Sequence, residues 1–296
     1  MTYSIVARDS ETGELGVAVQ SHWFSVGPIV PWARPGVGAV ATQSNAEVSY
    51  GPRLLELVEA GRDPQEALAQ LLSQDGAAAT RQVAVVDAGG AVAVHTGASC
   101  IPFAGHVTGE GFSCQANLMA SDRVWPSMLE AFTAAEGSLT ERLLGALDAA
   151  QAAGGDIRGK RSAAILVVPG EGAPWENVVS LRVEDHPQPL SELRRLVGIH
   201  RAYQLAGRAD ELVGEGRHDE AARLYREASA LAPDNHELRF WAGLGAAQGG
   251  DMEQALADVN AAIAAHRPWR ELLERMPEDF APSAAAVLQA MNKRAE

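Results

Sequence analysis

Hydrophobic and polar positions divide the chain into two parts. Up to about residue 186, short runs rich in Val, Ala and Gly are typical of strands, whereas from Pro187 onward Leu, Ala, Glu and Arg recur at helical spacing. The segment HPQPLSELRRL marks the change, because its two prolines interrupt a strand and Ser191 is suited to cap a helix. We therefore predict a mixed domain over residues 1–186 and an all-helical domain over residues 187–296.

The first part alternates groups of strands with pairs of helices. The pattern predicts strands over residues 2–8, 15–21, 36–44, 81–97 (a hairpin that turns at Ala88-Gly89-Gly90), 105–119 (one strand bent at its glycines), 162–168 and 178–185. It predicts helices over residues 50–61, 63–76, 121–136 and 138–153. Strand groups this apolar leave no face for water, which indicates two packed sheets with helices on their outer faces. The expected fold class is therefore α+β: a four-layer α/β/β/α sandwich followed by a small all-α helical-repeat domain.

A repeat runs through the second part. Gly216, Ala221 and Ala228 each have a counterpart of the same type 34 residues later. This spacing resembles the tetratricopeptide pattern, in which small residues stand where helices cross closely. Two units are fewer than the three or so that a free-standing array needs. One interpretation is therefore a pair of helical hairpins that packs on the first domain or on a second copy, and the other is a peptide-binding groove.

Composition and charge narrow the functional classes. Lys and Arg number 24 against 38 Asp and Glu, giving a net charge of −14, so we expect neither nucleic acid nor an anionic membrane surface as a partner. No stretch approaches the roughly 20 apolar residues needed to cross a bilayer. The first residues also lack the basic start and apolar run of a secretory signal, and we therefore expect a cytoplasmic protein.

Several familiar catalytic and metal-binding motifs are absent. The chain contains no GxSxG, HExxH or GxxxxGK[ST] motif. Cys100 and Cys114 are too few for a disulfide framework and lack CxxC spacing, and no pair of the eight histidines has ligand spacing. We therefore expect two buried thiols, no metal and no cofactor.

The remaining candidate chemistry lies at the amino terminus. Thr2 follows Met1, and methionine aminopeptidase requires a small second residue of this kind. Removal of Met1 would expose a threonine whose hydroxyl and α-amine belong to one residue. Because the pKa of a free α-amine is about 7.7–8.0, a neutral fraction exists at pH 7 to accept the hydroxyl proton. Threonine paired with its own amine is a known nucleophile; the alternative is an ordinary edge-strand threonine.

Six segments together resemble the family called domain of unknown function 1028: TYSIVARD, TGELGVAVQSHWFSVG, GVGAVATQSNAEVSYGPRLLEL, RQVAVVD, HTGASCIPFAGHVTGEGFSCQAN and GGDIRGKRSAA. They match in order over roughly residues 2–186. Members of that family look like N-terminal-nucleophile (Ntn) hydrolases, the α/β/β/α superfamily that includes proteasome subunits and several amidases. Some members carry a helical extension described as a peptidoglycan-binding region, and residues 190–296 look like such an extension. The resemblance therefore implies an Ntn-hydrolase-like sandwich.

Five residues are expected to carry the reaction. Thr2 is the nucleophile, and a hairpin would bring Ser21 beside it to hydrogen-bond its amine or hydroxyl, unless Ser21 is only a solvated strand end. Ser44 and Asn45 end a strand ahead of a helix, where backbone N–H groups can hold the oxyanion of a tetrahedral intermediate. Asn45 is equally suited to a turn or a cap. Asn117 can add a side-chain N–H to the same oxyanion, or stabilise its own loop.

Four more residues are expected to contact substrate. Gln43 lies at the same strand end. Trp23, which follows His22, can line an apolar pocket, although such aromatics also serve in a core or an interface. Arg34 can lower the pKa of the α-amine or bind a substrate carboxylate, as can the run Arg158-Gly159-Lys160-Arg161. The alternative for these cations is a solvated surface.

Two hypotheses from different classes follow. The first is an amidohydrolase that cleaves a small linear or cyclic amide by acyl transfer through Thr2, with that small molecule as its partner. The second is a non-catalytic binding or scaffold protein that uses the sandwich and the helical repeat to hold a cell-wall fragment or a protein. In either case we expect a homodimer or a higher homo-oligomer.

Overall fold

The computed structural model describes residues 2–295, which form two compact units that divide between Arg195 and Leu196. The hydrophobic pattern changes a little earlier, at Pro187, just before the helix that contains this division begins at Pro189. Met1, whose removal the N-terminal chemistry requires, lies outside the described residues. No helix in the described range is long and apolar enough to cross a bilayer.

Two antiparallel sheets form the centre of the first unit. Its strands are β1 (Thr2–Arg8), β2 (Leu15–Ser21), β3 (Pro31–Arg34), β4 (Gly38–Ser44), β5 (Arg81–Asp87), β6 (Val92–Thr96), β7 (Gly105–Gly109), β8 (Phe112–Asn117), β9 (Ser162–Val168) and β10 (Val179–Val183). The larger sheet has the order β10-β9-β2-β1-β8-β7, and the smaller has the order β3-β4-β5-β6. Every pairing is antiparallel.

Four helices cover the outer faces of the two sheets. Helices α1 (Tyr50–Glu59) and α2 (Pro64–Ser73) pack on the smaller sheet, whereas α3 (Val124–Ala134) and α4 (Leu139–Ala152) pack on the larger one. Between the sheets lies a core in which valines of β1 and β2 meet alanines of β4 and β5. The layer order is therefore α/β/β/α, and the predicted sandwich is confirmed.

Local signals in the sequence account for several element boundaries. Gly13 has a φ of +74° in the turn that joins β1 to β2, a backbone conformation that glycine adopts without a steric penalty. Helix α2 begins as predicted, because Asp63 accepts hydrogen bonds from the backbone N–H groups of Gln65 and Glu66, and Pro64 occupies the first helical position. Turns and helix caps of this kind depend on neighbouring residues only, so the sequence can predict the element boundaries that they set.

The structure corrects two parts of the strand prediction. Residues 105–119 are not one bent strand but a hairpin, β7 and β8, whose turn at Gly111 has a φ of +73°. Strand β3 was not predicted, because it has only four residues and begins with a proline. It lies at the edge of the smaller sheet, beside β4.

The second unit contains no strand in its described residues. Its helices are α5 (Pro189–Gly214, whose first turns belong to the first unit), α6 (His218–Leu231), α7 (His236–Gln248), α8 (Met252–Ala265), α9 (Pro268–Arg275) and α10 (Ala284–Ala295). Gly216 and Gly250, the first glycines of the two repeats, have φ values of +75° and +87° and lie two residues before the starts of α6 and α8. The repeated alanines are buried. The predicted all-helical character of this region is confirmed, and the choice between a packing surface and a peptide groove stays a prediction.

Candidate active site

Thr2 stands at the end of a central strand of the larger sheet. It pairs with Ser21 of β2 on one side and with Asn117 of β8 on the other. Its Oγ1 donates a hydrogen bond to Ser21 Oγ over 3.1 Å. The side chain is 6% exposed, and it reaches a cavity, which we call the Thr2 cavity. Thr2 thus lies at the point where a buried strand meets a cavity.

The Thr2 cavity has a volume of about 540 Å³, within the range of small-molecule sites. Its apolar wall is formed by Trp23, Val26, Ile29, Val30, Val48 and Ile101. The polar side chains that line it, apart from Thr2, are Gln43, Ser44, Asn45, Thr80 and Ser99. The cavity is thus a mainly apolar space with hydroxyl and amide groups in its lining.

A network of buried amides joins the two sheets beside Thr2. Gln43 Nε2 donates to Gln82 Oε1 over 2.7 Å and lies 3.4 Å from the carbonyl oxygens of Thr2 and Gln115. Gln43 Oε1 accepts from Ser4 Oγ over 2.7 Å, and Ser4 Oγ accepts from Gln115 Nε2 over 2.7 Å. All these side chains are buried. Since a buried polar group without a partner is costly, such a network fixes the position of each member.

Gln82 stands at the centre of this network. Its Oε1 accepts from Asn117 Nδ2 over 2.8 Å as well as from Gln43. Its Nε2 is within hydrogen-bond distance of Thr96 Oγ1 at 2.9 Å and of two backbone carbonyl oxygens of the β7–β8 pair at 3.1 and 2.9 Å. Thr96 Oγ1 in turn contacts His106 Nδ1 over 2.8 Å. Burial, and then the nearby His95, lower the pKa of His106.

One acceptor in this group has no partner. Asn117 Oδ1 is buried and makes no hydrogen bond. The amide cannot simply be reversed, because its Nδ2 is the atom that donates to Gln82 Oε1 and lies 3.5 Å from the carbonyl oxygen of Thr2. An unpaired acceptor of this kind carries a penalty of about 1–3 kcal/mol. The structure therefore holds an unused carbonyl oxygen on the residue that pairs with Thr2.

Backbone strain is concentrated around the same group. Ser44, directly after Gln43, has a φ of +72°, and Leu118, directly after Asn117, has a φ of +57°. Non-glycine residues in this left-handed region cost about 1–3 kcal/mol each and tend to occur at functional sites. Both strained residues follow a strand-end amide of the network.

The structure brings most of the predicted site residues together, but the N–H groups of Asn45 have other partners than expected. Thr2, Gln43, Ser44, Asn45 and Trp23 all line the Thr2 cavity. The backbone N–H of Asn45, however, donates to the Thr80 carbonyl oxygen over 3.2 Å, and its side-chain amide donates to Thr80 Oγ1 over 3.2 Å. These groups are therefore engaged, and they are not offered to an oxyanion.

Asn117 and Ser21 lie beside Thr2 without lining the cavity. The side-chain N–H groups of Asn117 are directed to Gln82 Oε1 at 2.8 Å and toward the Thr2 carbonyl oxygen at 3.5 Å, and not into the cavity as expected of an oxyanion donor. Ser21 Oγ accepts from the backbone N–H of Trp23 over 2.9 Å in addition to the Thr2 hydroxyl. Its position beside Thr2 is the one expected from the hairpin.

His22 and Arg34 are not brought to the cavity. The backbone N–H of His22 donates to Asp156 Oδ2 over 3.3 Å, and its buried Nδ1 has no partner. Arg34 forms an ion pair with Glu59 and pairs with Gly38 at the opposite end of β4 from Ser44. Six residues along a strand span roughly 20 Å. The expectation that Arg34 contacts substrate therefore conflicts with the strand register, which sequence reasoning did not resolve.

The basic run after α4 is engaged in pairs. Arg158 Nη2 contacts the buried carboxylate of Asp156 over 2.7 Å. Lys160 Nζ donates to Gln188 Oε1 over 2.5 Å. Arg161 pairs with Asp185, which raises the pKa of the guanidinium. None of the three cations lines the Thr2 cavity in the described residues.

Sequence reasoning missed the interior of the amide network, namely Ser4, Gln82 and Gln115. A signal existed, because alternate residues of a strand face the same side of a sheet. Gln82 precedes Ala84 by two positions and Ser4 precedes Val6 by two, and both Ala84 and Val6 face the core between the sheets. A polar residue in phase with core residues at a strand end is therefore the pattern that marks this network.

The two cysteines are free and buried, as expected. Cys100 Sγ donates to the carbonyl oxygen of Arg81 over 3.4 Å. Burial raises the pKa of the Cys114 thiol, which disfavours a thiolate nucleophile. Within residues 2–295, no group of three or more His, Cys, Asp or Glu side chains is arranged to hold a metal ion.

Comparison with known proteins identifies the family. A model described as a family of unknown function (DUF1028) matches residues 2–193. Among solved structures, protein SPO2555 from Silicibacter pomeroyi, which carries the same family assignment, is 34% identical with a TM-score of 0.61, over 66% of this chain and 84% of that one. Anbu (ancestral beta-subunit) from Yersinia bercovieri is 14% identical with a TM-score of 0.35, over 66% of this chain and 93% of that one. No curated protein matches the chain. The family match covers more than half of the sequence, and the chain therefore belongs to the DUF1028 family.

Proposed function

We propose that this protein is an amidohydrolase in which Thr2, once it is the N-terminal residue, is the nucleophile. The observation that carries the proposal is the position of Thr2, which lines the Thr2 cavity and whose hydroxyl donates to Ser21 Oγ over 3.1 Å. The α/β/β/α layers and the resemblance to Ntn hydrolases support the same conclusion. A residue that carries both a nucleophile and a base needs no further catalytic side chain to be activated.

The proposed reaction has two stages. Thr2 Oγ1 attacks the substrate carbonyl carbon while its proton passes to the α-amine, and a tetrahedral oxyanion forms. The α-ammonium then gives the proton to the leaving nitrogen, the C–N bond breaks, and an ester on Thr2 remains. Water attacks this ester with the α-amine again as base, which releases the carboxylic acid and restores Thr2.

Two neighbours suit the positioning of the nucleophile. Ser21 Oγ accepts from the Thr2 hydroxyl and fixes the rotamer that presents the oxygen. Asn117 Oδ1, buried and unpartnered on the adjacent strand, supplies an acceptor for an α-ammonium on Thr2. In this arrangement Asn117 Oδ1 gains a hydrogen-bond donor, and the cost of burying an unpaired acceptor is removed. Both are positioning residues.

The oxyanion requires donors other than those that the sequence indicated. The backbone N–H of Asn45 and the amide of Asn117 already have acceptors. The cavity lining also includes Ala46 and the hydroxyl-bearing Ser44 and Ser99. The Ala46 N–H and these two hydroxyls have no partner in the described residues. We propose them as the oxyanion donors, since preorganised donors of this kind supply a large share of catalysis in acyl transfer.

Kinetics of Thr2 variants test the proposal. We expect Thr2→Ala to lower kcat toward N-acyl p-nitroanilides by at least about a thousandfold, since it removes the nucleophile, and Thr2→Ser to retain part of the activity. Thr133→Ala is the matched control, because Thr133 is exposed on α3, and it should behave as wild type. Equal turnover by Thr2→Ala and wild type would reject the nucleophile and leave a binding or scaffold function.

The state of the amino terminus is a separate requirement. Intact-mass spectrometry of the protein purified from its own host should give the mass of a chain that starts at Thr2. Quantitative retention of Met1 would block the α-amine in a peptide bond and eliminate the mechanism.

For the helical unit, the family resemblance supports a role in holding a cell-wall fragment, and the repeat supports a role in assembly. Removal of residues 196–296 distinguishes them. A fall in oligomer size by light scattering supports assembly, whereas an unchanged size with loss of muropeptide binding supports the ligand role.

A further inference from the structure

The side chains that line the Thr2 cavity are all uncharged. Of the thirteen residues that line it, none is Asp, Glu, Lys, Arg or His. This is notable in a chain with 62 charged side chains, 24 basic and 38 acidic. A charged group of a ligand would therefore lose hydration in this space without gaining a side-chain counter-ion, and away from the Thr2 α-amine the cavity disfavours such a group.

The apolar lining also extends from the interior to the surface. Val26 and Val30 are each 2% exposed and belong to the core between the sheets. Trp23, Val48 and Ile101 are 56, 39 and 49% exposed. Exposed large apolar side chains that continue a cavity are typical of a ligand site. We call these three residues the apolar rim.

The polar lining lies beside the nucleophile. Gln43 Nε2 is 3.4 Å from the carbonyl oxygen of Thr2, Ser44 and Asn45 follow it in sequence, and Asn45 is hydrogen-bonded to Thr80. A ligand that fits this arrangement places its own amide near Thr2 and an apolar group against the valines and the rim.

We infer that the Thr2 cavity binds the uncharged, apolar acyl group of the amide substrate, and that this group extends from Thr2 across the apolar rim. The inference rests on the proposed function for the position of the scissile amide. Specificity then comes from burial of the acyl chain, which contributes about 0.8 kcal/mol per methylene, or about fourfold in kcat/KM.

A matched series of p-nitroanilides tests this inference. From acetyl through butanoyl to hexanoyl, kcat/KM should rise about fourfold for each methylene that becomes buried. Adipoyl and 6-aminohexanoyl anilides have a chain of similar length but end in a charge, and we expect their kcat/KM to be at least tenfold below that of the hexanoyl anilide. Equal rates for the three, or a preference for either charged chain, would overturn the inference.

A rim variant gives a second readout with a control. Ile101→Lys places a cation at the exposed rim and should raise the adipoyl-to-hexanoyl ratio of kcat/KM by about fivefold, the upper range for an exposed ion pair. Ile157→Lys is the matched control, because Ile157 is 66% exposed and does not line the cavity. An equal change of the ratio in both variants would contradict a rim that contacts the acyl chain.

Binding to Thr2→Ala separates this inference from the proposed catalysis. Calorimetry should show that N-phenylhexanamide binds and that the adipic monoanilide binds at least tenfold more weakly. If wild type hydrolyses no anilide while this binding preference holds, the catalytic proposal fails and the cavity inference stands. If wild type hydrolyses the anilides without a preference among acyl groups, the cavity inference fails and the catalytic proposal stands. If N-phenylhexanamide does not bind, the inference is overturned, and dissociation of an oligomer by Ile101→Lys would then assign the rim to contact between copies of this chain.

Discussion

The amide network beside Thr2 predicts that one buried glutamine has a large effect on stability. Gln82→Met keeps roughly the length and volume of the side chain and removes both of its polar atoms. Asn117 Nδ2 and Gln43 Nε2 then lose their shortest contacts, of 2.8 and 2.7 Å, and keep only distances of 3.4–3.5 Å to backbone oxygens. Each buried amide left in this state costs about 1–3 kcal/mol. The sum is about 2–6 kcal/mol, and we expect about 4 kcal/mol.

Native-state hydrogen exchange measures this effect within the full-length chain. Because the chain has two units, a single unfolding curve mixes them, whereas exchange of the β1, β5 and β8 amides reports the first unit alone. A loss of about 4 kcal/mol corresponds to roughly a thousandfold faster exchange of the most protected amides. Gln65→Met is the control, because Gln65 is exposed on α2, and it should change the opening free energy by less than about 0.5 kcal/mol. Equal exchange in the two variants would refute the network as a source of stability.

Three further predictions concern pH and packing. Arg81 holds the pKa of Asp75 at about 2 through a 2.7 Å ion pair; since the folded-state pKa is below the unfolded one, the stabilisation is present above about pH 4 and is lost as pH falls through 2. The difference in melting temperature between wild type and Asp75→Asn should thus be largest near pH 6 and shrink as pH falls from about 4 to 2, and a difference of the same size at pH 6 and pH 2 would argue against this pair. In Gly97→Ala, the new Cβ would lie 2.2 Å from a backbone carbonyl oxygen, whereas in Gly76→Ala nothing lies within 4 Å of the new Cβ. The first substitution should lower the free energy of unfolding by about 1–3 kcal/mol, and the second should leave it unchanged. Equal melting temperatures of the two variants would count against the packing described. If the α-amine of Thr2 is the base, kcat/KM should rise with pH through about 7.7–8.0, and a flat profile from pH 6 to 9 would exclude that base.

Periodicity and turn residues were sufficient to predict the layers of the first unit. The signals used were short-range: apolar strands, glycine turns and the helix cap at Asp63. The structure contains each of these features. Prediction was wrong where a local signal had two interpretations. The glycines of residues 105–119 suit a bend as well as a turn, and in the structure Gly111 forms a turn between two paired strands. The four-residue strand β3 depends on pairing with β4, which no local pattern specifies.

The site was harder to predict because its contacts are long-range. Thr2 and Ser21 are close because they lie opposite each other in one hairpin, and the sequence pattern was sufficient to predict this contact. The contact of Gln43 with Gln82 joins two strands of the smaller sheet, and the contact of Gln82 with Asn117 crosses between the sheets. Arg34 shows the converse error, because Gln43 and Ser44 follow it closely in sequence but lie at the other end of strand β4. Register and sheet packing therefore decide which polar residues meet.

In the proposed mechanism the Thr2 hydroxyl forms a covalent bond with the substrate acyl group, and this bond can be trapped. p-Nitrophenyl hexanoate acylates readily because its phenolate is a good leaving group, so the acyl form should accumulate during turnover. After an acid quench, mass spectrometry of the N-terminal peptide should show one hexanoyl group ester-linked to Thr2. Turnover without an acyl group on Thr2, or an acyl group on another residue with full activity in Thr2→Ala, would contradict the mechanism.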